Sequence, residues 1–114
     1  MNIEDVRNHC LSKKGVTESF PFDEDTLVFK VCNKMFLLVS LSENRINVKC
    51  DPDKAIELRE QYSAVTPGFH MNKALWNTVV LNDTIPPKLI AEWIDDSYKL
   101  VVGKLTKKEQ AGLL

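Results

Sequence analysis

The sequence predicts a single α+β domain over residues 1–114, an antiparallel sheet with helices packed on one face. Three observations predict it. Apolar residues recur at helical spacing at the start of the chain. They alternate with polar residues from Val16 to Cys50. Helical spacing then returns twice, with one further apolar run between, so grouped strands lie between helices.

The first helix places Ile3, Val6, Cys10 and Leu11 on one face. Asn2 caps it and Asp5 completes a variant of the capping box. Lys13 and Lys14 suit its negative end, and Gly15 stops it. Val16 to Phe22 then reads as a strand ending at Pro21, and Asp23-Glu24-Asp25 as a solvated acidic turn. Leu27 to Val31 is a strand with Leu27, Phe29 and Val31 on one face. Cys32-Asn33-Lys34 turns the chain, and Met35 to Leu41 returns as the hairpin partner. After a turn at Ser42-Glu43-Asn44, Arg45 to Cys50 sets Ile46, Val48 and Cys50 against Arg45, Asn47 and Lys49. The meander therefore has one buried and one solvated face.

Asp51 and Pro52 start a second helix as N-cap and first residue. Its stripe is Ala55, Leu58 and Tyr62, with Ile56 beside it. Val65 to Gly68 reads as a loop and Trp76 to Leu81 as a strand. Thr84 caps a third helix beginning near Pro86 and Pro87, whose face carries Leu89, Ile90, Trp93, Ile94, Leu100 and Val101. Residues 105–114 read as a frayed tail.

Composition bounds the function. The chain is 44% hydrophobic and 27% charged, the balance of a globular protein rather than a disordered one. Its net charge of −1 opposes generic polyanion binding. The charge is unevenly spread, however. Residues 26–50 carry Lys30, Lys34, Arg45 and Lys49 against Glu43 alone, and residues 99–114 are also basic. The meander is thus either an ordinary solvated face or a modest phosphate-contacting one. Three cysteines, Cys10, Cys32 and Cys50, without C-x-x-C spacing fit a reduced, cytoplasmic setting. The start shows no basic, apolar leader, and no run is long enough for a membrane span.

The segment from Thr66 to Thr78 follows no simple period. It sets His70, Asn72, Lys73 and Asn77 around Trp76, the donor-rich and aromatic mixture that a nucleic-acid or ligand contact uses. The structural alternative is that the asparagines bond turns, His70 bonds a carbonyl and Trp76 belongs to the core.

This segment also carries a resemblance. Thr66-Pro67-Gly68-Phe69-His70-Met71-Asn72-Lys73 with Trp76-Asn77 is similar to the MmcQ/YjbR family of small bacterial proteins. So are Cys10 to Glu18, Phe20-Pro21-Phe22, Val28 to Val31, Lys34-Met35-Phe36, Asn47 to Pro52, and Ser97-Tyr98 with Leu100-Val101. The resemblance covers residues 5 to 105 or so. It implies a CyaY-like (frataxin-like) two-layer sandwich and a "double-wing" DNA-binding function.

Two main expectations follow. In the first, the chain is a non-enzymatic, regulatory module on double-stranded DNA. Lys30, Lys34, Arg45 and Lys49 contact phosphates, and His70, Asn72, Lys73 and Asn77 make polar contacts. In the second, the His70–Asn77 segment lines a pocket for a small molecule or a protein partner, with Trp76 as an apolar wall. An enzyme has only Cys50 and His70 as a nucleophile–base pair, and Cys50 reads as a buried structural thiol. No cofactor or metal is expected. The acids do not form a dense ridge, and His9 has no partner at ligand spacing. The assembly is expected to be a monomer or a weak homodimer formed through an open sheet edge.

Overall fold

A computed structural model describes all residues, 1–114. The fold is α+β: a six-stranded, wholly antiparallel sheet with helices laid on one face. In chain order the elements are α1 (Ile3–Leu11), β1 (Val16–Ser19), β2 (Thr26–Val31), β3 (Lys34–Ser40) and β4 (Arg45–Lys49). Then come α2 (Pro52–Gln61), β5 (Val65–Pro67), β6 (Trp76–Val80), α3 (Pro87–Val102) and α4 (Lys107–Ala111). Across the sheet the strands run β1-β2-β3-β4-β6-β5.

Local chemistry explains the element ends. Asn2 and Asp5 form a reciprocal capping box on α1. The helix ends at Leu11, before the expected stop, and Gly15 (φ +73°) instead turns the chain into β1. Cys32 (φ 48°) and Asn33 (φ 63°) are both left-handed, the two-residue hairpin geometry that matches strand twist. Asp51 and Pro52 start α2 as the sequence predicts.

The main core lies between the sheet and the helices. Val6 and Cys10 of α1, Leu58 of α2, and Ile90, Trp93, Ile94 and Val101 of α3 pack on Phe29, Leu37, Val39, Ile46, Val48 and Val79. Each fully buried apolar side chain contributes about 1.5–3 kcal/mol relative to exposure. Edge-on ring pairs, Tyr62 with Trp93 and Phe36 with Tyr98, both at 5.4 Å, tie α3 to its neighbours. Polar residues enter this layer at Asn77, which bonds α2, and at Ser97. Ser97 is fully buried. Its hydroxyl accepts from the Lys49 N–H (2.9 Å) and donates to the Phe36 carbonyl (2.5 Å), bridging β4 and β3 where their ladder stops at Leu37 and Val48.

Several expectations need correction. Residues 105–114 are not frayed: Thr106 and Glu109 form a second capping box for α4, and Leu105 is buried. Leu113 packs against the main core. Pro86, not Thr84, stands at the N-cap of α3, and Thr84 bonds Asn82 instead. Val65–Pro67 is a strand, because its partner β6 offers a ladder that local propensity cannot reveal. Ile56 is exposed rather than packed. The far face of the sheet is only partly solvated. There Val28, Leu38 and Trp76 form a second small core with Met35, Met71 and Leu75, so residues 68–75 fold over that face.

Candidate functional site

The open face of the sheet carries a cavity of about 790 Å³. Its floor is the outward side of β3, with Met35, Leu38 and Ser40. One wall is the β1–β2 loop, with Phe22, Asp23 and Asp25. The other is the β5–β6 loop, with Phe69, His70, Met71 and Asn72. Each loop presents an exposed phenylalanine, Phe22 at 65% and Phe69 at 48%.

The β5–β6 loop is held by the sheet beneath it. The Phe69 N–H donates to Thr78 Oγ1 (2.8 Å), and the Asn47 amide donates to the Phe69 carbonyl (3.2 Å). Thr78 Oγ1 in turn donates to Asn47 Oδ1 (2.5 Å). Both polar groups of one loop residue are thus satisfied by neighbours on β4 and β6. The chain reaches this position through Gly68, where a Cβ would meet the Trp76 Cβ at 2.7 Å and the Trp76 carbonyl at 2.9 Å. Only glycine fits so close an approach. His70 follows at φ 59°, a left-handed conformation that costs energy for any residue but glycine.

The β1–β2 loop is held by its own acids. Asp23 accepts from the N–H groups of Asp25 and Thr26, which lowers its pKa. Asp25 accepts from Ser40 Oγ, from Ser42 Oγ and from the Ser42 N–H. The acidic turn is exposed at Asp23 and Glu24, as the sequence suggests, and Asp23 and Asp25 also clasp it to the sheet.

The predicted site residues separate. Arg45, His70 and Asn72 line the cavity. Lys30 and Lys34 lie on the β2–β3 hairpin, outside it. Lys49 ends β4, and burial, helped by the charge of Lys104, lowers its pKa. Lys73 folds back and donates to the Gly68 carbonyl (3.0 Å). Trp76 is no cavity wall; it is buried in the small core. Asn77 is buried as well and faces α2, where its amide donates to the Ala55 carbonyl and its oxygen accepts from Arg59 Nε (2.7 Å). The structural alternative holds for Trp76, which is core, and for Asn72, whose oxygen accepts from the Ala74 N–H of its own turn; Asn77 is structural too, but bonds α2 rather than a turn.

The sequence reading missed Phe22, Asp25, Leu38, Met71 and Arg59 as parts of this architecture. Arg59 fastens the β6 end of the loop, donating to the carbonyls of Lys73 and Trp76 as well as to Asn77. Phe22 alone had a visible signal, an aromatic set between Pro21 and three acids, where burial is not expected.

Cys50 and His70 do not meet. Cys50 is half-buried rather than fully buried, and lines a separate cavity of about 300 Å³ with Asp51, Lys54, Asp96 and Lys99. Burial raises the pKa of its thiol, and Asp51 and Asp96 raise it further. The His9 Nε2 lies 2.8 Å from Asp95 Oδ1, which also accepts from Lys13 Nζ. No group of three or more His, Cys, Asp or Glu side chains is placed to hold a metal ion. No helix is long and apolar enough to cross a membrane.

Comparison with known proteins decides the family. The YjbR family model matches residues 11–100. The chain belongs to the YjbR family. It is 34% identical over 112 residues to the uncharacterised protein YjbR of Escherichia coli K12, covering 96% of this chain and 95% of that one. It is 38% identical over 109 residues to the uncharacterised protein YbdF of Escherichia coli O157:H7, covering 94% and 89%. Among solved structures, the Deinococcus radiodurans protein DR2400, of domain family DUF419, superposes with a TM-score of 0.93 at 38% identity, covering 98% and 87%. The Thr66–Asn77 segment that carries the YjbR resemblance falls inside the matched region and builds one cavity wall.

Proposed function

We propose that this chain is a binding module of the YjbR family that holds a small molecule in the cavity between the β1–β2 and β5–β6 loops. One observation carries the reading: a concavity of about 790 Å³ with Met35 and Leu38 on its floor, a phenylalanine on each wall, and polar or charged side chains making up ten of its sixteen lining residues. That volume lies within the roughly 300–1,000 Å³ range of ligand sites. The rigid support beneath Phe69 favours a preformed site over one that must order on binding.

The double-wing DNA reading has less support in the geometry. Of its phosphate-contacting side chains, only Arg45 lies in the cavity, and Asp23, Asp25 and Glu43 line the same cavity. A duplex would set a row of phosphates against these acids with a single arginine to receive them. The packing of α1 beside α3 over one sheet face supports reading the sandwich as frataxin-like. That likeness concerns the fold and leaves the function to the site.

The test is an amide-shift NMR titration with a fragment library, run beside fluorescence anisotropy of a labelled DNA duplex at several salt concentrations. The proposal expects fragment-induced shifts concentrated at Met35–Ser40 and Phe69–Asn72, with little DNA binding. DNA binding with a log–log salt slope near about −3.6, the value for about four phosphate contacts, would overturn it in favour of the DNA module. Fragment shifts confined to the region of Cys50 and Lys99 would also overturn it.

A further inference from the structure

The ligand-binding reading can be taken one step further, to the charge of the ligand. The polar groups of the cavity divide into committed and uncommitted ones. Asp23 and Asp25 are committed: each accepts three hydrogen bonds from its own loop or from the β3 end. Asn47 is committed to the Phe69 carbonyl and to Thr78, which lies buried behind the lining. The Asn72 oxygen accepts from the Ala74 N–H, which leaves its amide donors free.

Arg45 is different. It is half-buried, and its guanidinium carbon sits 4.2 Å from the centre of the Phe69 ring. None of the three ion pairs of the chain involves it; those are Arg7–Glu18, His9–Asp95 and Lys13–Asp95. The ring holds the fork in place without using its N–H donors. Such a fork matches a carboxylate in two parallel hydrogen bonds. His70 stands beside the same ring at 4.1 Å. The free capacity of the cavity is thus mainly donor capacity, next to the apolar side chains of Met35 and Leu38 on the floor and Met71 on the wall. Glu43, exposed on the β3–β4 turn, is the one uncommitted acid.

We propose that the site takes a small organic carboxylate: Arg45 receives the carboxylate, and an apolar, preferably aromatic, body lies on Met35 and Leu38 between Phe22 and Phe69. This rests on the ligand-binding reading above. It adds the sign of the ligand and the residue that reads it.

The test uses three probes of one shape: 2-naphthoate, neutral 2-naphthamide and cationic 2-naphthylmethylammonium. Each is titrated into the full chain by NMR and calorimetry. The proposal expects 2-naphthoate to bind at least about tenfold more tightly than the amide, the equivalent of about 1.4 kcal/mol. Arg45→Met should erase that gap while still binding the amide, and Arg45→Lys should keep part of it. Retained binding of the amide shows that Arg45→Met is folded. Equal binding of all three probes overturns the carboxylate assignment, as does a gap that survives in Arg45→Met. Tighter binding of the ammonium also overturns it and assigns the site to the acidic rim. If no probe shifts the cavity residues, the ligand-binding reading itself fails, an outcome distinct from the other three.

Discussion

The guanidinium of Arg45 lies over the ring of Phe69, 4.2 Å from its centre. This pair joins a strand residue to a loop residue and closes one side of the cavity. A cation over an aromatic ring at a partly exposed site contributes about 0.5–1 kcal/mol. A double-mutant cycle of Arg45→Met and Phe69→Leu, followed by urea unfolding, should return a coupling of about that size. Strict additivity would show that the two side chains do not support each other.

Gly68 is where the loop leaves the sheet. The added Cβ of Gly68→Ala meets the backbone and Cβ of Trp76, which cannot swing aside as a flexible side-chain end could. Overpacking of this kind costs about 1–3 kcal/mol. Thermal unfolding should show a lowered Tm, and amide spectra should show the largest changes at Phe69 to Met71. An unchanged Tm would show that the loop has room to shift.

Asn77 and Ser97 are the two buried polar side chains that join layers. Asn77→Leu removes the amide that bonds the Ala55 carbonyl and the oxygen that receives Arg59 Nε, and Ser97→Ala strands the Lys49 N–H and the Phe36 carbonyl. Unsatisfied buried groups cost about 1–3 kcal/mol each. Both variants should lower the urea midpoint with little change in slope. If Ser97→Ala were as stable as the parent, the strand gap would not depend on the hydroxyl.

Cys10 gives a pH signature. Its thiol is buried in the main core, and burial pushes its pKa from 9.0 up to about 12. The folded chain therefore keeps a proton that the unfolded chain releases. The associated stability is complete below pH 9 and is lost as pH rises toward about 12. Cys10→Ala should flatten this alkaline fall in unfolding free energy. An unchanged slope would assign the fall to other groups.

Much of this was legible in the sequence, and the pattern of misses has a physical cause. Helices and hairpins declare themselves through period, caps and turn residues, as at Asn2, Asp51 and Cys32-Asn33. The edge strand Val65–Pro67 does not, because only its pairing with β6 makes it a strand. The tail was misread because Leu105 and Leu113 find burial only against distant parts of the chain. At the candidate site, the residues of the Thr66–Asn77 segment divide between roles. Trp76 and Asn77 are consumed by packing, while His70 and Asn72 reach the cavity. The opposite wall, with Phe22 and Asp25, is remote in sequence and joins the site only through sheet register.

The location of the binding site is tested most directly by the methionine methyl groups. The chain has three methionines, Met1, Met35 and Met71, of which Met35 and Met71 line the cavity and Met1 packs against the main core. Methyl-labelled protein with bound 2-naphthoate should give intermolecular NOEs from Met35 and Met71 and none from Met1. NOEs from Met1, or none from Met35 and Met71 at saturation, would contradict the placement of the site on the open face of the sheet.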